Sequence, residues 1–77
     1  MQDEPQGTEF SRRLREAITD AGLTQEAVAR EIDVTLRAVQ FWVAGTQEPK
    51  GRQLVALARV LDRDPSWFFN EPEQEAA

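Results

Sequence analysis

Apolar residues recur along this chain in short helical groups, each bounded by a capping residue and a stop. Phe10, Leu14, Ala17, Ile18 and Ala21 fall at i, i+4, i+7, i+8 and i+11, one stripe of an amphipathic helix. Thr8 precedes that stripe as a cap, and Gly22 follows it as a left-handed stop. Val28, Ala29 and Ile32 mark a second helix over 25–32. Thr24 is its cap, and Glu26 lies in the first turn, where negative charge suits the helix dipole. After a break at Asp33-Val34-Thr35, Thr35 caps a third helix over 36–44, which places Val39 and Trp42 inward and ends at Gly45. Residues 46–50 read as a loop containing Pro49, and Leu54, Leu57, Ala58 and Leu61 predict a fourth helix from about Gly51 to Leu61. Asp64 followed by Pro65 opens a short fifth helix through Trp67, Phe68 and Phe69. No alternating stretch suggests a strand, so the expected fold class is all-α with five helices.

The second and third helices form the most informative unit. Two short helices joined by so tight a turn, with the small Ala29 near their crossing, make a helix-turn-helix, whose second helix fits a DNA major groove. Asp33 occupies the turn, where glycine is most comfortable, although aspartate tolerates left-handed backbone better than most residues. The polar residues 1–7, MQDEPQG, read as a disordered lead-in; residues 8–70 form the helix-turn-helix domain, and residues 71–77, EPEQEAA, form an acidic tail.

Composition narrows the chemistry. The chain has no cysteine and no histidine, so disulfides are excluded and neither zinc nor any other metal or cofactor is expected. No apolar stretch approaches the roughly 18 residues needed to span a bilayer, and no signal peptide opens the chain, so a cytoplasmic protein without membrane association is expected. Enzymatic activity is not expected: there is no His, Cys or Tyr, no glycine-rich phosphate loop, and the carboxylates fall on helix surfaces and tails. No small-molecule substrate is evident.

A net charge of −5 looks wrong for a DNA binder, because the phosphate backbone dominates affinity. The distribution answers most of that objection. Six of the acidic residues, Asp3, Glu4, Glu9, Glu71, Glu73 and Glu75, lie outside residues 10–70, and that span carries all nine basic residues. The remaining acids are free to segregate away from a contact face, which leaves modest non-specific affinity and recognition resting on specific contacts and on the pairing of two subunits.

From about Phe10 to Asn70 the chain resembles the phage-repressor and Cro type of helix-turn-helix, the XRE family. The marks are LREAITDAGLTQEAVA (Leu14 to Ala29), the helix pair itself, W-x-x-G at Trp42 to Gly45, and Pro49. The apolar helix 54–61 closing with Asp64-Pro65-Ser66-Trp67-Phe68 completes the pattern. The resemblance implies a compact lambda-repressor-like fold and a transcriptional regulator, commonly a dimer on palindromic operator DNA. Two positions depart from the pattern. Asp33 replaces the usual turn glycine, and Arg63 stands where an apolar residue is frequent, which predicts looser or locally different packing between the last two helices.

The resemblance also implies roles for side chains. Leu36, Arg37, Gln40 and Phe41 project from the third helix at the family's base-contact positions. A planar arginine fork at position 37 matches guanine O6 and N7, Gln40 suits adenine or a phosphate, and the apolar pair suits thymine methyl groups. The plainer alternatives are a solvated Arg37 paired with Asp33, and a Phe41 folded back as peripheral core. Gln25, at the start of the second helix, together with Thr35, Thr46, Gln47, Lys50 and Arg52, is expected to hold phosphates. Arg12, Arg13 and Arg15 are not expected to touch DNA, since Glu9–Arg13 and Arg12–Glu16 are i,i+4 pairs on a solvated face. Trp67, Phe68 and Phe69 are the expected homodimer surface, with one or two of them sealing the core. The competing reading is a protein-interaction module on the same scaffold that has lost DNA binding.

Overall fold

A computed structural model of the protein describes residues 8–69. The expected lead-in 1–7 and tail 71–77 lie outside the described residues. Four α-helices, α1 (Glu9–Ala21), α2 (Gln25–Glu31), α3 (Leu36–Ala44) and α4 (Gly51–Leu61), are followed by a 3₁₀ turn at Pro65–Phe68, and no strand is found among the described residues. The anticipated fifth α-helix is thus replaced by 3₁₀ geometry. Trp67 N–H bonds Asp64 O at 2.8 Å and Phe69 N–H bonds Ser66 O at 3.0 Å, the three-residue spacing natural to so short a segment. The second helix stops one residue short of expectation, with Ile32 as its C-cap. No helix among the described residues is long and apolar enough to cross a membrane.

Local chemistry sets the helix boundaries. The hydroxyls of Thr8, Thr24 and Thr35 each accept a backbone N–H three residues on, from Ser11, Ala27 and Ala38, all at 3.0 Å. Ser11 returns the bond to Thr8 N–H at 2.8 Å, and this reciprocal cap satisfies a serine that is fully buried. The sequence pattern did not single out Ser11.

All four α-helices end in one motif. A residue in left-handed conformation, Gly22, Asp33, Gly45 or Asp62, donates its N–H to the carbonyl three residues back. The next N–H reaches five residues back: Leu23 to Ile18 O, Val34 to Ala29 O, Thr46 to Phe41 O and Arg63 to Ala58 O, at 2.8–3.1 Å. Asp33 (φ 62°) and Asp62 (φ 60°) do with a side chain what the two glycines do without one.

Phe10, Leu14, Ala17 and Ile18 of α1 meet Val28 and Ala29 of α2, Val39 and Trp42 of α3, Leu57, Ala58 and Leu61 of α4, and Phe68 in one core. Three expected core positions differ, Ile32 being half-buried at the end of α2. Ala21 is exposed, one residue before the helix stop, and Leu54 is half-buried at the rim. Helix α3 packs on both α2 and α1, and the 3₁₀ turn bridges α4 and α1, so one face of α3 remains outside the bundle.

Candidate nucleic-acid interface

The site begins with the placement of α3. Val39 and Trp42 are buried, which fixes the rotation of the helix and turns residues 36, 37 and 40 outward. Leu36 is 39% exposed, a large apolar side chain facing solvent, and Arg37 and Gln40 are exposed beside it. Phe41 is half-buried and packs against the core. Arg37 does not pair with Asp33; its guanidinium lies 5.8 Å from the centroid of the Phe41 ring.

The flanking residues fall on the ends of neighbouring elements. Thr35 caps α3, and Gln25 is half-buried as the first residue of α2, directly after the Thr24 cap. The Thr46–Gln47 loop is gathered onto the carbonyl oxygen of Phe41, which accepts Gly45 N–H at 3.0 Å, Thr46 N–H at 3.1 Å, Gln47 N–H at 3.4 Å and the Thr46 hydroxyl at 3.2 Å. Lys50 and Arg52 are exposed around the start of α4, where Gln53 Oε1 accepts the Lys50 backbone N–H at 2.9 Å.

The ion pairs lie elsewhere. Glu9 accepts Arg12 at 2.7 Å and Arg13 at 2.6 Å; Arg12 turns to it rather than to Glu16. These two guanidiniums, Arg13 foremost, hold the Glu9 carboxyl below its ordinary range. Asp20 pairs with Arg63 at 3.0 Å, and Glu26 lies 3.8 Å from Arg30. Arg37, Lys50 and Arg52 enter no ion pair among the described residues. Glu9, Asp20 and Glu26 are therefore matched to Arg12, Arg13, Arg63 and Arg30, none of them among the expected DNA contacts.

The aromatic end divides its roles. Phe68 is fully buried, 5.4 Å from Phe10, so it is removed from the expected dimer surface: an occluded ring has no area to offer a partner. Phe69 is 45% exposed and stacks on Phe10 at 5.5 Å. Trp67 is half-buried, with the guanidinium carbons of Arg13 and Arg63 5.2 and 4.7 Å from its ring centroid. Arg13 also donates to the Trp67 carbonyl at 3.0 Å. Arg63 lies over Trp67 and reaches Asp20, with its Nε buried without a hydrogen-bond partner.

Comparison with known proteins agrees with this geometry. A family model described as helix-turn-helix matches residues 12–68. A curated relative, the HTH-type transcriptional regulator DicA of Escherichia coli (strain K12), is 36% identical over 53 residues, covering 66% of this chain and 39% of the relative. The chain therefore spans about two fifths of that relative's length. No solved structure matches the chain significantly.

Proposed function

The chain belongs to the XRE-type helix-turn-helix family, and from that premise we propose that it is a sequence-specific, double-stranded-DNA-binding transcriptional regulator. It acts as a repressor of phage or bacterial type in the cytoplasm or nucleoid, laying α3 in the major groove of operator DNA. The carrying observation is the pairing of a buried inner face of α3, Val39 and Trp42, with an outer face of Leu36, Arg37 and Gln40 whose arginine has no carboxylate partner among the described residues. The transcriptional-regulator relative supports the same reading.

In this reading Arg37 grips a guanine edge, Gln40 reads adenine or bonds a phosphate, and Leu36 meets a thymine methyl. Gln25, Thr35, Thr46, Gln47, Lys50 and Arg52 hold the backbone on either side and set the register. Homodimerisation through Phe69 and the exposed part of Trp67 presents two such helices to a palindromic operator.

Selection of bound duplexes from a random pool tests this directly. A palindromic consensus, with Arg37→Ala relaxing preference at one base pair and Lys50→Ala lowering affinity alike for all sequences, is the expected result. The competing protein-interaction reading draws on the net charge of −5 and the exposed Leu36. Absence of any binding to mixed genomic DNA at low salt favours it; affinity falling steeply with salt favours the regulator.

A further inference from the structure

We propose that Phe41 is a positioning residue for Arg37: a fixed aromatic platform that orients the base-reading guanidinium rather than a base contact in its own right. This rests on the operator-binding reading. Residues 37 and 41 are one helical turn apart on the same stripe of α3, and Arg37 Cζ lies 5.8 Å from the Phe41 ring centroid. At that range the negative ring face attracts a cation. The ring itself is held, because Phe41 is half-buried against the core. Arg37 makes no ion pair among the described residues, so the ring is what restrains its long side chain. An arginine already restricted to one region surrenders less rotamer freedom when it docks on a base pair. The ring area that Arg37 covers is also unavailable to a thymine methyl group.

The same residue ties the two halves of the interface together. Its side chain carries Arg37, and its carbonyl oxygen gathers the N–H groups of Thr46 and Gln47 and the Thr46 hydroxyl. Displacement of the Phe41 backbone would therefore move the reading arginine and the phosphate-holding loop as one piece.

A double-mutant cycle on the full chain and its selected operator tests the proposal. Phe41→Leu, which keeps apolar bulk and removes the ring, is expected to weaken operator binding about two- to fivefold. It leaves binding to unrelated duplexes unchanged. In the Arg37→Ala background the same change has no further effect, whereas with Arg37 intact Phe41→Trp keeps wild-type affinity. Equal losses in both backgrounds overturn the inference alone. Failure of any duplex to be selected overturns the operator reading and removes the reading role of the platform with it. A measurement that needs neither DNA nor variant is the proton spectrum of the free protein. Upfield ring-current shifts of the Arg37 Hδ resonances support the platform, and random-coil positions overturn it.

Discussion

Arg15 Nη1 on α1 donates to the carbonyl oxygen of Val43 at 2.9 Å, so the first helix of the chain holds the last turn of the helix proposed to read DNA. The carbonyl is one of those a helix leaves without an intrahelical partner, and the guanidinium sits at the negative end of the helix dipole. Burial of Val39 and Trp42 fixes the rotation of α3; the Arg15 contact fixes its far end.

Arg15→Ala is therefore expected to lower stability by about 0.3–1 kcal/mol, the range for a cation at a helix C-terminus near the surface. Urea unfolding at low ionic strength measures it, and the loss shrinks as salt is added. An unchanged midpoint would mean that the contact contributes nothing in solution.

Asp33 and Asp62 hold left-handed backbone that an L side chain adopts only with strain. Asp33→Gly and Asp62→Gly remove that strain, while the extra freedom of glycine in the unfolded chain offsets part of the gain. Each substitution is expected to raise stability by up to about 1 kcal/mol, and the two effects should add, since the sites close different helices. Thermal unfolding of the single and double variants checks both statements. A loss of stability at either site would show that the aspartate side chain has a role beyond the turn.

These helix ends show what the chain discloses about itself. Thr8, Thr24, Thr35 and Asp64 act through hydrogen bonds two or three residues away, and they are legible in a linear reading for that reason. Gly22, Gly45 and Asp33 are legible too, but Asp62 carries no turn partner in sequence to flag it. The order of Trp67, Phe68 and Phe69 could not reveal which ring is occluded, because that depends on α1 through Phe10. Arg63 on Asp20 and Arg15 on Val43 O join residues distant along the chain, and only the folded arrangement brings them together. Of the proposed interface, the face of α3 follows from period alone, whereas the Arg37–Phe41 contact requires the side-chain positions.

The acid limb of stability should respond to Glu9. Its folded-state pKa is lowered from 4.5 by Arg13 first and Arg12 second. A lowered carboxylate contributes stability that is fully present above the unfolded value and disappears as pH falls through the folded one. Wild-type protein is thus expected to lose stability as pH falls from the ordinary glutamate range through the lowered folded value, and Glu9→Gln to be weaker at pH 7 with a flatter acid limb. Equal pH dependence of the two proteins, followed by chemical denaturation from pH 7 to 3, would remove Glu9 from the account.

Phe68 and Phe69, adjacent in sequence, are expected to fail in opposite ways. Phe68 is fully buried beside Phe10, and Phe68→Ala leaves a cavity in a small core, a loss of about 3–5 kcal/mol that unfolds much of the population at 37 °C. Phe69 is 45% exposed, and Phe69→Ser gives up only its stacking on Phe10, about 1 kcal/mol. If the proposed dimer uses this end of the molecule, Phe69→Ser also shifts sedimentation towards the monomer and weakens binding to a palindromic duplex far more than to a single half-site. A folded Phe69→Ser protein with wild-type mass and wild-type half-site preference would move the dimer contact to another face.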